Sequence, residues 1–215
     1  SYVIGDLIGS GKEVIQFTET NFLAEGGDVF LPLQGLITAM RFVAVLDSST
    51  GQGDLVVTTS CGAVSARVGE LRTTWKDIPF QKIAQLEHGA LSQYSSILVN
   101  GDMFYRAIDG LRSLALAQRD FQSSWINTPI SNEAKRILDY DNKELLEFSC
   151  AVLFDNRVLL TVSPTYYKNR LYHRAMLVLD FDLITSMSNK LPPAYDLLWT
   201  GLQPTSIIKG NVGSN

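Results

Sequence analysis

Ser95 to Ala117 reads SSILVNGDMFYRAIDGLRSLALA. Two dipeptides, Asn100-Gly101 and Asp109-Gly110, divide this stretch into three apolar runs. Asn, Asp and Gly tolerate positive φ, so such pairs close tight hairpins. The expected elements are three strands, Ser95–Val99, Met103–Ala107 and Leu111–Ala117, in an antiparallel meander.

The same grammar recurs on both sides. Downstream, Ser149–Phe154 leads through Asp155-Asn156 to Arg157–Val162. A longer loop, SPTYYKNR, then precedes a strand over Leu171–Asp182. Upstream, Ile37–Leu46 and Asp54–Ser60 flank DSSTGQG, and a turn at Cys61-Gly62 gives a strand from Ala63 to Val68. Each meander is followed by a tryptophan phrase: TTWKDIPF at Thr73–Phe80, SSWINTPI at Ser123–Ile130 and a looser LLWTGLQP at Leu197–Pro204. Three strands plus a phrase able to hold a fourth, at a period of about fifty residues, is the arithmetic of a propeller blade.

The expected fold is therefore an all-β β-propeller occupying residues 1–215 as one domain. It would have about four four-stranded blades, or be part of a larger propeller. Blades fall near 28–69, 70–120 and 121–200. Residues 1–27 supply two strands (Tyr2–Ile8 and Glu13–Thr18), and 205–215 supply one, in a shared or incomplete blade. Trp75, Trp125 and Trp199 are read as wedges packing one blade on the next, because large rings contribute most through buried area. The segment Ser131–Phe148 has helical composition, with Ala134, Ile137 and Leu138 on one face, and reads as a short helical insertion. The chain opens on Ser1, so a fragment of a longer propeller is the rival expectation.

Composition narrows the function. The 215 residues are 46% hydrophobic and 19% charged, with a net charge of -4, and the isoelectric point is about 5.2. Lys and Arg are scattered without a basic stripe, so specific nucleic-acid binding is not expected. No apolar run of transmembrane length is present, so no membrane role is expected. Cys61 and Cys150 stand at unrelated spacing and read as buried free thiols, with a disulfide between them as the alternative. No metal or cofactor is expected, because the cysteines and histidines lack ligand spacing.

The chemistry-bearing motifs fail in turn. GDLIGSGKEV has Asp6 where a phosphate loop needs its first Gly, and Glu13 where it needs a hydroxyl. His88 and His173 have no GxSxG partner. Asp102, Tyr105, Arg106, Asp109 and Arg112 cluster in one meander, as a sialidase site would require. But Asp102 and Asp109 are turn residues, and alternation sends Tyr105 and Arg106 to opposite faces. LDYDNKELLE and VLDFD lack the spacing of a calcium loop and read as solvated edges. The chain is therefore expected not to be an enzyme.

The distinctive phrases that remain are MFYRAIDGLRSLALAQRDF, SSWINTPIS, AVLFDNRVLLTVSP, YHRAMLVLDFD and PPAYDLLWTGL. Together, over roughly half the chain, they resemble propeller-bearing tail and virion structural proteins of tailed bacteriophages. The resemblance implies a tail, neck or nozzle component in the virion, made in the host cytoplasm. Its partners would be other virion proteins, and it would assemble as a homo-oligomeric ring. It carries over no functional residue. The expected partner contacts are Tyr166, Tyr167, Lys168, Asn169 and Arg170, in the long loop of the third meander. A carbohydrate-binding or sialidase-like propeller for host-receptor recognition is the alternative.

Overall fold

The computed structural model describes residues 2–4, 14–17, 29–32, 35–43, 54–67, 81–114, 129–181 and 194–210. Its contacts divide the chain into two compact units. One comprises Ser1–Gln93 with Asn100–Asp102, and the other Tyr94–Val99 with Met103–Asn215. The described residues are mostly strand, and every strand pairing is antiparallel.

The first unit contains two sheets of sequence-adjacent strands. One is β1 (Tyr2–Ile4), β2 (Val14–Phe17) and β3 (Val29–Pro32). The other is β4 (Ile37–Val43), β5 (Asp54–Thr59), β6 (Gly62–Arg67) and β7 (Gln81–Leu86). The β5–β6 turn is held by the Thr59 hydroxyl, which accepts from Cys61 N at 3.2 Å and Gly62 N at 3.1 Å. Gly62 is required there, because a Cβ would run into the Leu86 carbonyl. On the outer side of β4, the Gln93 side chain accepts from Met40 N at 2.9 Å and donates to Met40 O at 3.4 Å.

The second unit also contains two sheets. The first is β8 (Ser96–Val99), β9 (Asp102–Ala107) and β10 (Gly110–Ser113). The second is β11 (Ala151–Phe154), β12 (Arg157–Tyr167), β13 (Arg170–Asp180) and β14 (Ala194–Thr200). Between them lie a 3-10 turn (Asn132–Ala134), one α-helical turn, α1 (Lys135–Leu138), and a second 3-10 turn (Lys143–Phe148). This is the insertion the composition predicted, and Ala134 and Leu138 do enter the core.

The two sheets pack face to face. Val158, Leu160 and Val162 of β12 and Ala175, Leu177 and Leu179 of β13 share one cluster with Val99, Phe104 and Leu111 of the β8–β10 sheet. Phe104 meets Phe181 edge-on, with ring centroids 5.3 Å apart. Each fully buried side chain of this kind stabilises the fold by about 1.5–3 kcal/mol. Leu159, Thr161, Met176 and Val178, on the opposite face of the same hairpin, are buried as well.

Several expectations are corrected. The Ser95–Ala117 meander turns at Ile108-Asp109, with Gly110 opening β10 opposite Ala107. The supposed loop SPTYYKNR does not exist: β12 continues to Tyr167, and a two-residue turn, Lys168-Asn169, starts β13 at Arg170. Both turn residues have positive φ, 48° and 60°, as a type I′ hairpin demands. Thr205–Gly210 form no strand, and among the described residues the first sheet consists of β1, β2 and β3. Of the three tryptophan phrases, the described residues include in full only the last, whereas 73–80 and 123–128 lie outside them. That last phrase begins within the fourth strand of its sheet, since β14 contains Trp199.

Candidate functional site

Where β12 outruns its neighbours, two polar sites meet. β11 pairs with β12 only as far as Leu160, and β14 pairs with β13 only between Ala175 and Asp180. Beyond these limits, Ser163–Tyr167 and Arg170–Arg174 form a two-stranded arm.

At the arm's base a charge is buried. Arg106 on β9 donates from Nη2 to Asp141 Oδ2 at 3.0 Å, with both side chains only 1% exposed. Ser163 donates to Asp141 Oδ1 from its backbone N at 2.8 Å and from its hydroxyl at 3.0 Å. Asp141 follows α1, so this clasp ties the insertion to both sheets. Burial pushes the Asp141 carboxyl up, while the Arg106 guanidinium and the two Ser163 donors pull it down. Three donors on two oxygens are the bonds of a carboxylate. Ser163 takes φ 54° to present both donors, which places a locally strained residue where the arm begins.

His173, fully buried on β13, adjoins the clasp. Its backbone N donates to Pro204 O at 2.8 Å, and Nδ1 lies 3.2 Å from the same carbonyl. A carbonyl only accepts, so Nδ1 carries the proton and Nε2 the lone pair. Burial lowers the pKa of this ring, with Pro204, Thr205 and Asp141 opposing. Serine, histidine and aspartate are thus gathered, but in the wrong order for acyl transfer. A triad needs the serine hydroxyl on histidine; here it is spent on Asp141. Among the described residues, Nε and Nη1 of Arg106 and Nε2 of His173 have no hydrogen-bond partner. The cluster works as a fastening.

The predicted contact residues lie at the opposite end of the arm. Tyr166 is 56% and Tyr167 64% exposed, and Lys168, Asn169 and Arg170 are exposed with them. Lys168 Nζ sits 5.3 Å from the centroid of the Tyr167 ring, within cation–π range. Register puts Tyr167 beside Arg170 and Thr165 beside Tyr172 on one face, whereas Tyr166 and Leu171 share the other.

The remaining candidates scatter. Trp199 lies on β14 opposite Met176 and is 38% exposed; Trp75 and Trp125 fall outside the described residues. Tyr105 and Arg106 are both buried, and Arg112 is paired with Asp109. Cys150 is buried, but Cys61 is exposed at the β5–β6 turn, contrary to expectation. His88 is half-buried, in the segment after β7. Among the described residues no three His, Cys, Asp or Glu side chains are grouped to hold a metal, and no helix is long and apolar enough to cross a membrane. Sequence reasoning missed Asp141, which it placed on a solvated acidic edge; its partner stands thirty-five positions away on β9, beyond the reach of any local pattern.

Comparison with protein-family models gave no match, and neither did a search of curated proteins.

Proposed function

We propose that the chain is a β-propeller module of a tailed-phage virion, a tail, neck or nozzle component that offers protein–protein assembly surfaces and joins a homo-oligomeric ring. The observation that carries this reading is the face-to-face packing of two consecutive meanders through one apolar cluster. Blade-on-blade packing in a propeller requires that arrangement. A four-stranded meander in chain order recurs in the other unit, as a repeated blade would. On the arm, the exposed Tyr166 stands beside Leu171 on the face opposite Tyr167 and Arg170, and offers a partner contact of a residue type enriched at interface hot spots.

The sialidase-like alternative needs arginines free to grip an acidic sugar. Arg106 and Arg112, the arginines of the Ser95–Ala117 meander, are each engaged by an aspartate, which favours assembly over carbohydrate chemistry. Light scattering combined with single-particle imaging tests the reading. A cyclic multimer, or a disc with a central channel, is the expected result. A monodisperse monomer with two separate lobes and no channel would rule the proposal out.

A further inference from the structure

The cations that look scattered in the sequence are gathered by the β12–β13 register. Ser163 to Arg174 reads SPTYYKNRLYHR, with three Lys or Arg and no acidic residue. The arm therefore carries +3 where the whole chain carries -4, which leaves -7 for everything else. Elsewhere in this unit, Arg106, Arg112 and Arg157 each meet a carboxylate. Arg170 and Arg174 are exposed, and among the described residues no carboxylate pairs with either.

Placement sharpens the asymmetry. Arg170, Tyr172 and Arg174 alternate along one face of β13, with Tyr167 beside Arg170 and Thr165 beside Tyr172. Successive members stand roughly 7 Å apart. Tyr167 lies five residues beyond Val162, roughly 17 Å out along the strand. That is about twice the screening length at physiological salt, so the flanked part of the sheet does little to cancel the arm's field. Cation, ring, cation is the alternation that single-stranded nucleic acid calls for: cations on phosphates, rings on bases.

We propose that this face of the arm binds a single nucleic-acid strand without sequence preference, through Arg170, Arg174 and Lys168 on phosphates and Tyr167 and Tyr172 against bases. The test is fluorescence anisotropy of the full chain with a labelled mixed-sequence single-stranded DNA of about twenty nucleotides. Three phosphate contacts predict a log–log salt slope of about -2, so a fourfold rise in salt weakens binding roughly 20-fold. Arg170→Ser with Arg174→Ser should remove about two-thirds of that slope, and Tyr167→Ser should weaken binding at constant slope. Lys135→Ser with Arg136→Ser, exposed cations on α1, should change neither. The far-UV spectrum reports whether each variant is folded. Absence of binding at 20 mM salt, or equal loss in the α1 control, overturns the proposal. So does an arm variant that binds DNA normally but loses self-association, which would give the face to a second copy of the chain.

Discussion

From Arg157 to Leu160 β12 has β11 beside it, and from Ala175 to Asp180 β13 has β14 beside it; among the described residues no strand flanks the hairpin from Ser163 to Arg174. The inner half is apolar and buried on both faces, with only Thr161, Arg157 and Asp180 polar. Its two charges answer each other, Arg157 Nε donating to Asp180 Oδ2 at 2.8 Å. The outer half is basic and aromatic, and its tip is exposed. One pair of strands is thus a buried beam at one end and an exposed basic and aromatic surface at the other. The changeover falls at Ser163, where the buried clasp grips the backbone. Flanking strands, rather than the hairpin itself, decide which composition each half can carry.

The strongest way to break this contrast is at the boundary. Asp141→Ala leaves the Arg106 guanidinium buried without a counter-charge and should cost about 3–5 kcal/mol. Urea denaturation reads it directly, and a loss below about 1 kcal/mol would mean that the clasp is not closed in solution. Replacing the pair together, Arg106→Met with Asp141→Asn, should cost much less, because no charge is then stranded. Within the inner half, Leu160→Ala opens a cavity between the two sheets and should cost about 2–5 kcal/mol. In the outer half, Tyr167→Ala should stay within about 0.5 kcal/mol of the parent. Equal penalties at Leu160 and Tyr167 would erase the distinction.

His173 sharpens the comparison through pH. Burial depresses its pKa, while the unfolded ring titrates at about 6.5. The stability contributed by the neutral ring is complete above about pH 6.5 and falls as the pH drops below it, by at most about 1.4 kcal/mol per unit. Asp141, raised by burial, has the opposite sign: its contribution is present below about pH 4 and declines as pH rises through its raised value. Comparing His173→Gln with the parent between pH 7 and 5 isolates the histidine. Parallel stability curves would show that His173 does not couple to folding. The smallest effect lies at the tip. Lys168→Asn with Asn169→Gly supplies the residues that a type I′ turn prefers and should stabilise by about 0.5–1 kcal/mol, visible as a higher denaturation midpoint.

Much of the molecule outside the arm was legible in the sequence. Asn100-Gly101 and Asp155-Asn156 both adopt the positive φ that marked them as turns, and apolar runs of four to six residues became strands. The outer half was not. Pro164 and a polar run disguised continuing strand as loop, because unflanked strands bury little and need no apolar alternation. Lys168-Asn169 is a weak turn signal that works only because the two strands fix its ends. The clasp was illegible for a different reason: Arg106, Asp141 and Ser163 lie on three elements, and only packing brings them together. The C-terminal strand was misjudged because Ile207 and Ile208 look like strand residues. Instead the chain uses Pro204 to take two bonds from His173.

The Gln93 amide on Met40 has a consequence for how the chain behaves at high concentration. An outermost strand shows a row of unmet amides and carbonyls, which another molecule can copy and extend into fibrils. A glutamine side chain offers the same donor and acceptor as a peptide group. By occupying both backbone groups of Met40, it places a stopper midway along β4 and interrupts the template at the cost of a single polar residue.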